Sequence, residues 1–163
     1  MSSPANAAPA RRVPFDETYL ERSRTWLQDS ELAWLIRAEP APDVETQATW
    51  FLGLTDRPDY AIWGVECEGQ PVGVMGIKDI GGDDGAEYFM YIGERSYWRR
   101  GIGRWALKEI QAEVRLRGLT WVYGRIGHHN ERSMAAHLAL GMRHLRDDDD
   151  TAVVGITVDE PVH

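Results

Sequence analysis

The sequence predicts one mixed α+β domain in a chain of 163 residues, a length that is ordinary for a single hydrophobic core. Apolar residues recur at helical spacing in the first third of the chain. They alternate as in β-strands from residue 60 to residue 93, and helical and strand patterns then alternate to the end. Because no internal repeat or interdomain linker interrupts this order, we treat residues 13–163 as one domain.

The first third of the chain predicts three helices, each starting at a residue that favours helix N-caps. We expect Val44, Phe51 and Leu52 to point inward from the third helix, with Trp50 near the edge of that face. Two prolines end the second helix, because proline removes a backbone donor and clashes with the preceding turn. In chain order, the predictions are a helix over 16–27 capped by Asp16, a helix from Asp29 or Ser30 to the break at 39–42, and a helix after Asp43.

The remaining pattern predicts six strands and two helices. The turn at 68–70 joins the first two of these strands into an antiparallel hairpin. The strand that follows the long helix is rich in β-branched and aromatic residues, so we place it near the centre of the sheet. The predicted strands are 60–67, 71–80, 86–93, 119–126, 142–146 and 151–158, and the predicted helices are 103–117 and 130–140.

Composition and charge exclude several classes of function. The net charge of −8 argues against a general nucleic-acid partner, and no window of roughly 18 apolar residues predicts a membrane span. Residues 1–12 lack the apolar core of a signal peptide, so we expect a disordered tail on a cytoplasmic protein. Cys67 is the single cysteine, which permits no internal disulfide and indicates no cysteine-based zinc site. We expect no bound metal.

A basic, glycine-rich turn between an apolar strand and an amphipathic helix has the features of an anion-binding site. Glycine lets a ligand approach the backbone, and the free N–H groups and dipole of the helix start favour negative charge. In an acidic protein, one local basic turn predicts a small anionic ligand. The residues that carry this prediction are Arg99, Arg100, Gly101, Gly103 and Arg104.

Three segments, in the right order, share the motifs of one family. Trp98-Arg99-Arg100-Gly101-Ile102-Gly103 is similar to the pyrophosphate signature Gln/Arg-x-x-Gly-x-Gly/Ala, and the strand 86–93 stands at the family's spacing before it. Residues 130–142 are similar to the ending Asn-x-x-Ser-x-x-x-Tyr-x-x-x-Gly-Phe. Over residues 13–158 the chain therefore resembles the GNAT superfamily of acyl-CoA-dependent N-acetyltransferases. Trp98, where Gln or Arg is usual, resembles the branch of nucleotide-amino-sugar and ribosomal-protein acetyltransferases.

This resemblance implies a GNAT-type fold, with a mixed, mostly antiparallel central sheet and helices on both faces. It implies acetyl-CoA as co-substrate and a small-molecule primary amine as acceptor. The implied cofactor-binding residues are Tyr91, Ile92 and Gly93 along the pantetheine arm, Trp98, Arg99, Arg100, Gly101, Ile102, Gly103 and Arg104 around the pyrophosphate, and Asn130 and Ser133 near the pantetheine or phosphate end.

Two side chains are the implied catalytic residues. Glu87 is the one carboxylate in the strand 86–93 and matches the family's general base. His137 stands where the family has tyrosine, from which an imidazolium could protonate the leaving thiolate. His129 is a reserve base and His128 ranks with it. Because Cys67 has no activating neighbour in the sequence, we expect direct transfer without an acyl-enzyme. The side chains expected to line the acceptor pocket are Trp34, Trp50 and Tyr88.

The sequence leaves the acceptor and some alternatives open. The branch resemblance favours a nucleotide-linked amino sugar, while a protein N-terminus, a polyamine or an aminoglycoside are competing acceptors. The acidic run 147–150 would suit a polycation, although a solvated hairpin turn explains it as well. A domain that binds acyl-CoA without transferring it is a second class, and a Rossmann-like nucleotide site is a third. A homodimer is also left open.

Overall fold

The structure is a computed structural model that describes residues 9–38 and 43–163. Its first third contains one strand and three helices, and the rest alternates between strands and two further helices. Short 3₁₀ turns at Leu54–Asp56, Gly82–Asp84 and Arg95–Tyr97 join some of them. The elements are β1 (Ala10–Pro14), α1 (Glu17–Trp26), α2 (Ser30–Leu35), α3 (Val44–Gly53), β2 (Ala61–Cys67), β3 (Gln70–Lys78), β4 (Gly85–Ile92), α4 (Ile102–Leu116), β5 (Trp121–Gly127), α5 (Glu131–Ala139), β6 (Arg143–Asp148) and β7 (Thr151–Thr157).

The strands form one seven-stranded sheet in the order β1-β2-β3-β4-β5-β7-β6. Every neighbouring pair is antiparallel except β4 and β5, which run parallel and are connected by α4. This confirms the predicted α+β fold with a mixed, mostly antiparallel sheet and a central β5. The strand before the glycine turn thus belongs both to a meander and to one parallel β-α-β unit.

Two expectations about the first third are wrong. The residues Ala10 to Arg12, expected in a disordered tail, lie in β1, which pairs with β2 from Ala10 against Cys67 onward. Val44 and Leu52, expected to point inward, are exposed, and the buried residue of α3 is Gln47. The predicted buried face of α3 is wrong because a ten-residue helix has too few turns to define the period of its apolar residues. The predicted break at 39–42 and residues 1–8 lie outside the described residues.

The three predicted N-caps are confirmed. The side chains of Asp16, Asp29 and Asp43 each accept hydrogen bonds from backbone N–H groups in the first turn of α1, α2 and α3. Each cap satisfies donors that have no partner within the helix, and each carboxylate lies at the positive end of the helix dipole. These caps fix where the N-terminal helices begin over the sheet.

The core lies on both faces of the sheet. On one face, α4 buries Ala106, Leu107, Ile110 and Val114, which have no exposed surface. Fully burying a Leu or Ile side chain contributes about 1.5–3 kcal/mol, so this stripe holds α4 firmly across β3, β4 and β5. On the other face, the N-terminal helices contribute a cluster of Tyr19, Trp26 and Leu32 around Val74 of β3.

Among the residues that the structure describes, no helix is both long and apolar enough to cross a membrane.

Gly93, at the end of β4, is predicted to be intolerant of a side chain, because a Cβ there would collide with the ring of Trp26. Overpacking of this kind costs about 1–3 kcal/mol. We therefore expect Gly93→Ala to lower the free energy of unfolding by about that amount in urea denaturation followed by fluorescence. Gly53→Ala is the matched control, since a Cβ at Gly53 meets nothing within 4 Å. An unchanged unfolding midpoint for Gly93→Ala would contradict the packing of Trp26 against this strand.

Candidate active site

The parallel strands β4 and β5 separate soon after they start. They pair at three positions, the last being Glu87 against Tyr123, although both strands continue for several residues. The divergence opens a cleft of about 330 Å³ between them, closed on one side by the end of α2 and on another by α5. The lining residues are Leu35, Ile36, Arg37, Lys78, Glu87, Tyr88, Phe89, Met90, Tyr91, Gly124, Arg125, Ile126, Gly127, Asn130, Ser133 and His137.

β4 presents different side chains to the two faces of the sheet, because successive residues of a strand point in opposite directions. Phe89 and Tyr91 pack with the cluster under the N-terminal helices, and Glu87, two residues before Phe89, lies on the same face of the strand. Tyr88 and Met90 pack with the cluster under α4. The predicted base and the groups around His137 therefore approach the cleft from opposite faces of one strand.

Glu87 is buried, with 6% of its surface exposed, and it lies between two cations. The Lys78 ammonium is 3.5 Å from Oε2 and the Arg125 guanidinium is 3.5 Å from Oε1. Within residues 9–38 and 43–163, the polar contacts of this carboxylate are these two ion pairs, so it keeps lone pairs for a ligand or a water molecule. A buried carboxylate at a cleft wall can accept a proton from an amine.

Tyr88 connects β4 to α5 across the cleft. Its ring packs over Gly124 of β5, where an added Cβ would lie 2.8 Å from the ring, and its hydroxyl forms a hydrogen bond with Nε2 of His137. Nδ1 of His137 lies 2.7 Å from the Ser133 carbonyl oxygen, which can only accept. Nδ1 therefore carries the proton, Nε2 accepts, and the Tyr88 hydroxyl donates to it.

The predicted imidazolium at His137 does not agree with this environment. Burial lowers the pKa of His137 below 6.5, and the hydrogen bond to the Ser133 backbone opposes that shift only in part. Burial also raises the pKa of Tyr88, so the phenol keeps its proton. Near neutral pH, the phenol of Tyr88 therefore keeps its proton and donates it to Nε2 of the neutral His137, which holds the hydroxyl in place. The sequence pattern predicts Tyr88 only as a wall of the acceptor pocket.

The hydrogen bonds of the β4 backbone show which of its N–H groups are free for the predicted contacts with pantetheine. The Gly93 N–H donates to the Val72 carbonyl oxygen at 2.8 Å, so it is not free to meet a ligand. Backbone groups alternate in direction along a strand, so the N–H of Ile92 points away from β3, toward the gap left by β5. The prediction for Gly93 is corrected in a second respect, since the space beside it is filled by Trp26 rather than kept clear for a cofactor.

The glycine turn after β4 is built to leave helix donors free. Gly101 is the N-cap of α4 in the left-handed conformation, with φ of 78°, and no side chain caps the helix. A Cβ at Gly101 or Gly103 would meet nothing within 4 Å, so the turn is open on that side. Uncapped N–H groups at a helix start are an anion site. These residues lie beside the cleft and are not part of its lining.

The three arginines of this turn have different surroundings. Arg100 lies over the Tyr97 ring and 3.6 Å from Glu68, and Arg104 donates to the backbone carbonyl of His163. Arg99 is exposed, has a left-handed φ of 62°, and forms no ion pair with any residue in 9–38 or 43–163. Arg99 is therefore the guanidinium group of this turn with the most freedom to turn toward an anion.

Several contacts brace the turn against the sheet and the N-terminal helices. The indole of Trp98 donates to the Ile92 carbonyl oxygen at 2.7 Å, so its role is structural where Gln or Arg is usual. The indole of Trp26 donates to Glu94 at 2.7 Å, and Arg95 forms a two-pronged ion pair with Asp29. Together these bonds tie the turn to the loop between α1 and α2.

Of the remaining predicted site residues, Asn130 and Ser133 line the cleft and the two adjacent histidines do not. The Asn130 side chain accepts a hydrogen bond from the Ser133 N–H and so caps α5, and it donates to the Leu35 carbonyl oxygen. The cofactor contacts of Asn130 and Ser133 stay predictions. Neither His128 nor His129 lines the cleft, and His129 donates through Nε2 to the carbonyl oxygen of the exposed Trp34. His129 is thus a poor reserve base.

Lys78 and Arg125 are site residues that the sequence analysis missed. Both project from strands where a single charged residue ends or interrupts an apolar run. A charge at such a position is a usable signal, but only the pairing of β3, β4 and β5 shows that both charges meet Glu87. The cleft therefore contains an alternating arrangement of positive, negative and positive charge.

Comparisons with known proteins give one family. The profile of the acetyltransferase (GNAT) domain matches residues 13–143. No curated protein sequence matches the chain. Among solved structures, a domain from Methanocaldococcus jannaschii is 18% identical with a TM-score of 0.79, covering 92% of this chain and 99% of that one.

Two further solved structures have the same fold at low identity. Spermidine N-acetyltransferase from Vibrio cholerae, in complex with CoA and spermine, is 13% identical with a TM-score of 0.75, covering 91% of this chain and 94% of that chain. The Campylobacter jejuni N-acetyltransferase PseH, in complex with acetyl coenzyme A, is 13% identical with a TM-score of 0.69, covering 91% and 99%. At these identities the likeness shows the fold.

The lowered pKa of His137 predicts a pH dependence of stability. Because the folded-state pKa lies below 6.5, the unfolded chain binds more protons in that window. Stability is therefore lost as pH falls from above 6.5 to the folded-state pKa, and this contribution then levels off. We expect the wild type to lose more unfolding free energy than His137→Asn between about pH 7.5 and about pH 5.5. Equal losses in both proteins would show that His137 is not buried as described.

Proposed function

Because the chain belongs to the GNAT family of acetyltransferases, we propose that it transfers an acetyl group from acetyl-CoA to a primary amine that also bears an acidic group. The observation that carries this proposal is the early divergence of β4 and β5 after Glu87. It opens a cleft lined by three cations, and the uncapped start of α4 follows the end of β4. The acetyl-CoA dependence follows from the family, while the acceptor and the residue roles are our own inference.

The residues present fit a coenzyme A pyrophosphate. The first N–H groups of α4 have no capping side chain, Gly101 holds a conformation that favours glycine, and the turn is open beside Gly103. Arg99 and Arg100 add positive charge at the same place. Along the strand, the N–H of Ile92 faces the gap and would pair with the pantetheine arm or the carbonyl oxygen of the acyl group.

When bound, acetyl-CoA supplies an activated acetyl thioester. Glu87 then accepts the proton that the acceptor's ammonium must lose before attack, directly or through a water molecule. On the other face of β4, the hydroxyl of Tyr88 turns from Nε2 of His137 to donate a hydrogen bond to the departing thiolate, which takes its proton from solvent. His137 holds that hydroxyl through Nε2 and is a positioning residue in this scheme. Direct transfer agrees with Cys67, which is fully buried, and burial raises the pKa of its thiol.

The charges in the cleft favour an acceptor that is not a polycation. Lys78, Arg37 and Arg125 line it, against Glu87 as the one carboxylate among the lining residues. A polyamine or an aminoglycoside would place several ammonium groups beside these cations, at a Coulombic cost. An amine with a carboxylate or phosphate, such as a nucleotide-linked amino sugar, would match both signs. The acidic run 147–150 is partly neutralised, since Asp148 pairs with Arg125 and Asp150 with Arg37.

A thiol-release assay with matched amines tests the acceptor class. Each pair differs in one acidic group: ethanolamine against O-phosphoethanolamine, and cadaverine against lysine, with spermidine and a nucleotide-linked amino sugar added. We expect higher kcat/KM for the acidic member of each pair. A preference for spermidine would refute the charge argument, and acetyl-CoA binding without acetylation of any amine would favour a non-catalytic acyl-CoA-binding module.

Replacing Glu87 by glutamine tests the base. We expect Glu87→Gln to bind coenzyme A normally and to lose about 100-fold or more in kcat/KM near pH 7. The deficit should shrink as pH rises, because a growing fraction of the acceptor amine is then already deprotonated. Glu66→Gln is the control, since this carboxylate lies on β2 beside Arg11 and outside the cleft. A deficit that stays constant with pH would mean that Glu87 positions the acceptor and does not remove its proton.

A further inference from the structure

A second cavity, of about 380 Å³, lies on the same face of the sheet as Glu87. It is bounded by α1 and α3 above and by β2, β3 and β4 below, and it shares Phe89 and Tyr91 with the cleft. Phe89 is two residues from Glu87 on the same face of β4, about 7 Å along the strand. The two cavities therefore meet at a common wall beside the predicted base.

Five of the eleven residues that line this second cavity are aromatic. Four rings follow one another around it: Phe15 and Trp50 at 6.0 Å, Trp50 and Tyr60 at 6.3 Å, and Tyr60 and Phe89 at 5.7 Å between ring centroids. Ile62, Val74 and Leu27 complete the apolar lining. Rings in edge and tilted contact form a stiff surface that suits hydrocarbon or aromatic groups.

The polar groups of the cavity are largely engaged within the chain. Ser23 Oγ donates to the Leu20 carbonyl oxygen at 2.8 Å, and Gln47 Nε2 donates to the same oxygen at 3.3 Å. Burial raises the pKa of Tyr60 to about 12, so its hydroxyl is neutral. A ligand rich in hydrogen-bonding groups, such as a nucleobase, would leave its own donors and acceptors unsatisfied here, which is costly.

We propose that the second cavity holds the hydrocarbon or aromatic side chain of the acceptor, and that the acceptor is an α-amino acid or a close analogue with a bulky apolar side chain. This inference rests on the proposed acetyltransferase function. In such a molecule the α-amine and the acidic group are close together. In the cleft, Glu87 is likewise close to the cations of Lys78 and Arg125. The amine meets Glu87, the acidic group meets a cation, and the side chain passes Phe89 into the second cavity.

The size of the cavity agrees with this occupant. Apolar cavities of about 150 Å³ already take up benzene, and cavities that hold small ligands begin near 300 Å³. A phenyl or isobutyl group therefore fits with room for its linking methylene. The rings that line the cavity are half-buried rather than closed over, so they remain within reach of a ligand.

The test compares L-alanine, L-leucine and L-phenylalanine in the thiol-release assay, with amine and carboxylate held constant. We expect kcat/KM to rise about tenfold or more from alanine to phenylalanine, as burial of a larger apolar group requires. Thr46→Phe, at the cavity wall, should move the ratio of the two kcat/KM values toward one. Thr49→Phe is the control, an exposed threonine of α3 outside the cavity, and it should keep the ratio.

Each outcome decides a different point. Equal rates for alanine and phenylalanine in the wild type overturn the inference without any variant. Acetylation of other amines but of no amino acid overturns the inference and leaves the proposed function standing. If none of the amines is acetylated, the proposed function fails first. A ratio that survives Thr46→Phe, in a variant that still binds coenzyme A, places the side chain elsewhere and overturns the assignment of this cavity.

Discussion

The central constraint on this molecule is the short pairing of its two parallel strands. A strand that leaves its neighbour must find other partners for its backbone donors and acceptors, because unpaired buried groups are costly. Beyond Glu87, β4 keeps β3 on one side and faces an open gap on the other. That gap creates the cleft, leaves the N–H of Ile92 on the side away from β3, and gives Tyr88 room to cross from β4 to α5.

The opened edge is held in place by bonds from outside the sheet. The indole N–H of Trp98 donates a hydrogen bond to the Ile92 carbonyl oxygen, and Tyr88 packs on Gly124 at the point where β4 and β5 separate. Trp26 and Arg95 tie the glycine turn to the first two helices. The aromatic residues of this part of the chain thus act as hydrogen-bond donors and spacers as well as core, which explains why several of them sit at half-buried positions.

Periodicity and turn chemistry predicted most of the fold. The caps at Asp16, Asp29 and Asp43, the hairpin after β2 and the amphipathic α4 all follow from local patterns, and they agree with the structure. The strand β1 does not follow from local patterns, because this short segment becomes a strand only through pairing with β2. Local patterns contain no information about such a partner when it is fifty residues away.

The site was predictable to the extent that its residues fall within motifs. Glu87 and His137 do line one cleft. Their environment was not predictable, because Lys78, Arg125 and Tyr88 reach them through the sheet and not through sequence spacing. The charge state of His137 depends on the packing of its ring, which projects from α5, against Tyr88 of β4. The Gly93 N–H is engaged because β3 pairs with the end of β4.

The alternation of β4 has a consequence for how this family member could change over time. Glu87 and Tyr88 are adjacent in the chain, yet they serve opposite faces of the sheet. A single inserted or deleted residue before them would exchange the two faces and carry the carboxylate to the side of α5. Insertions are tolerated in surface loops such as the turn after β3, but within β4 they would exchange the chemistry of the two sides. If Glu87 and Tyr88 have the roles proposed above, the length of this strand is constrained by the reaction as well as by the stability of the fold.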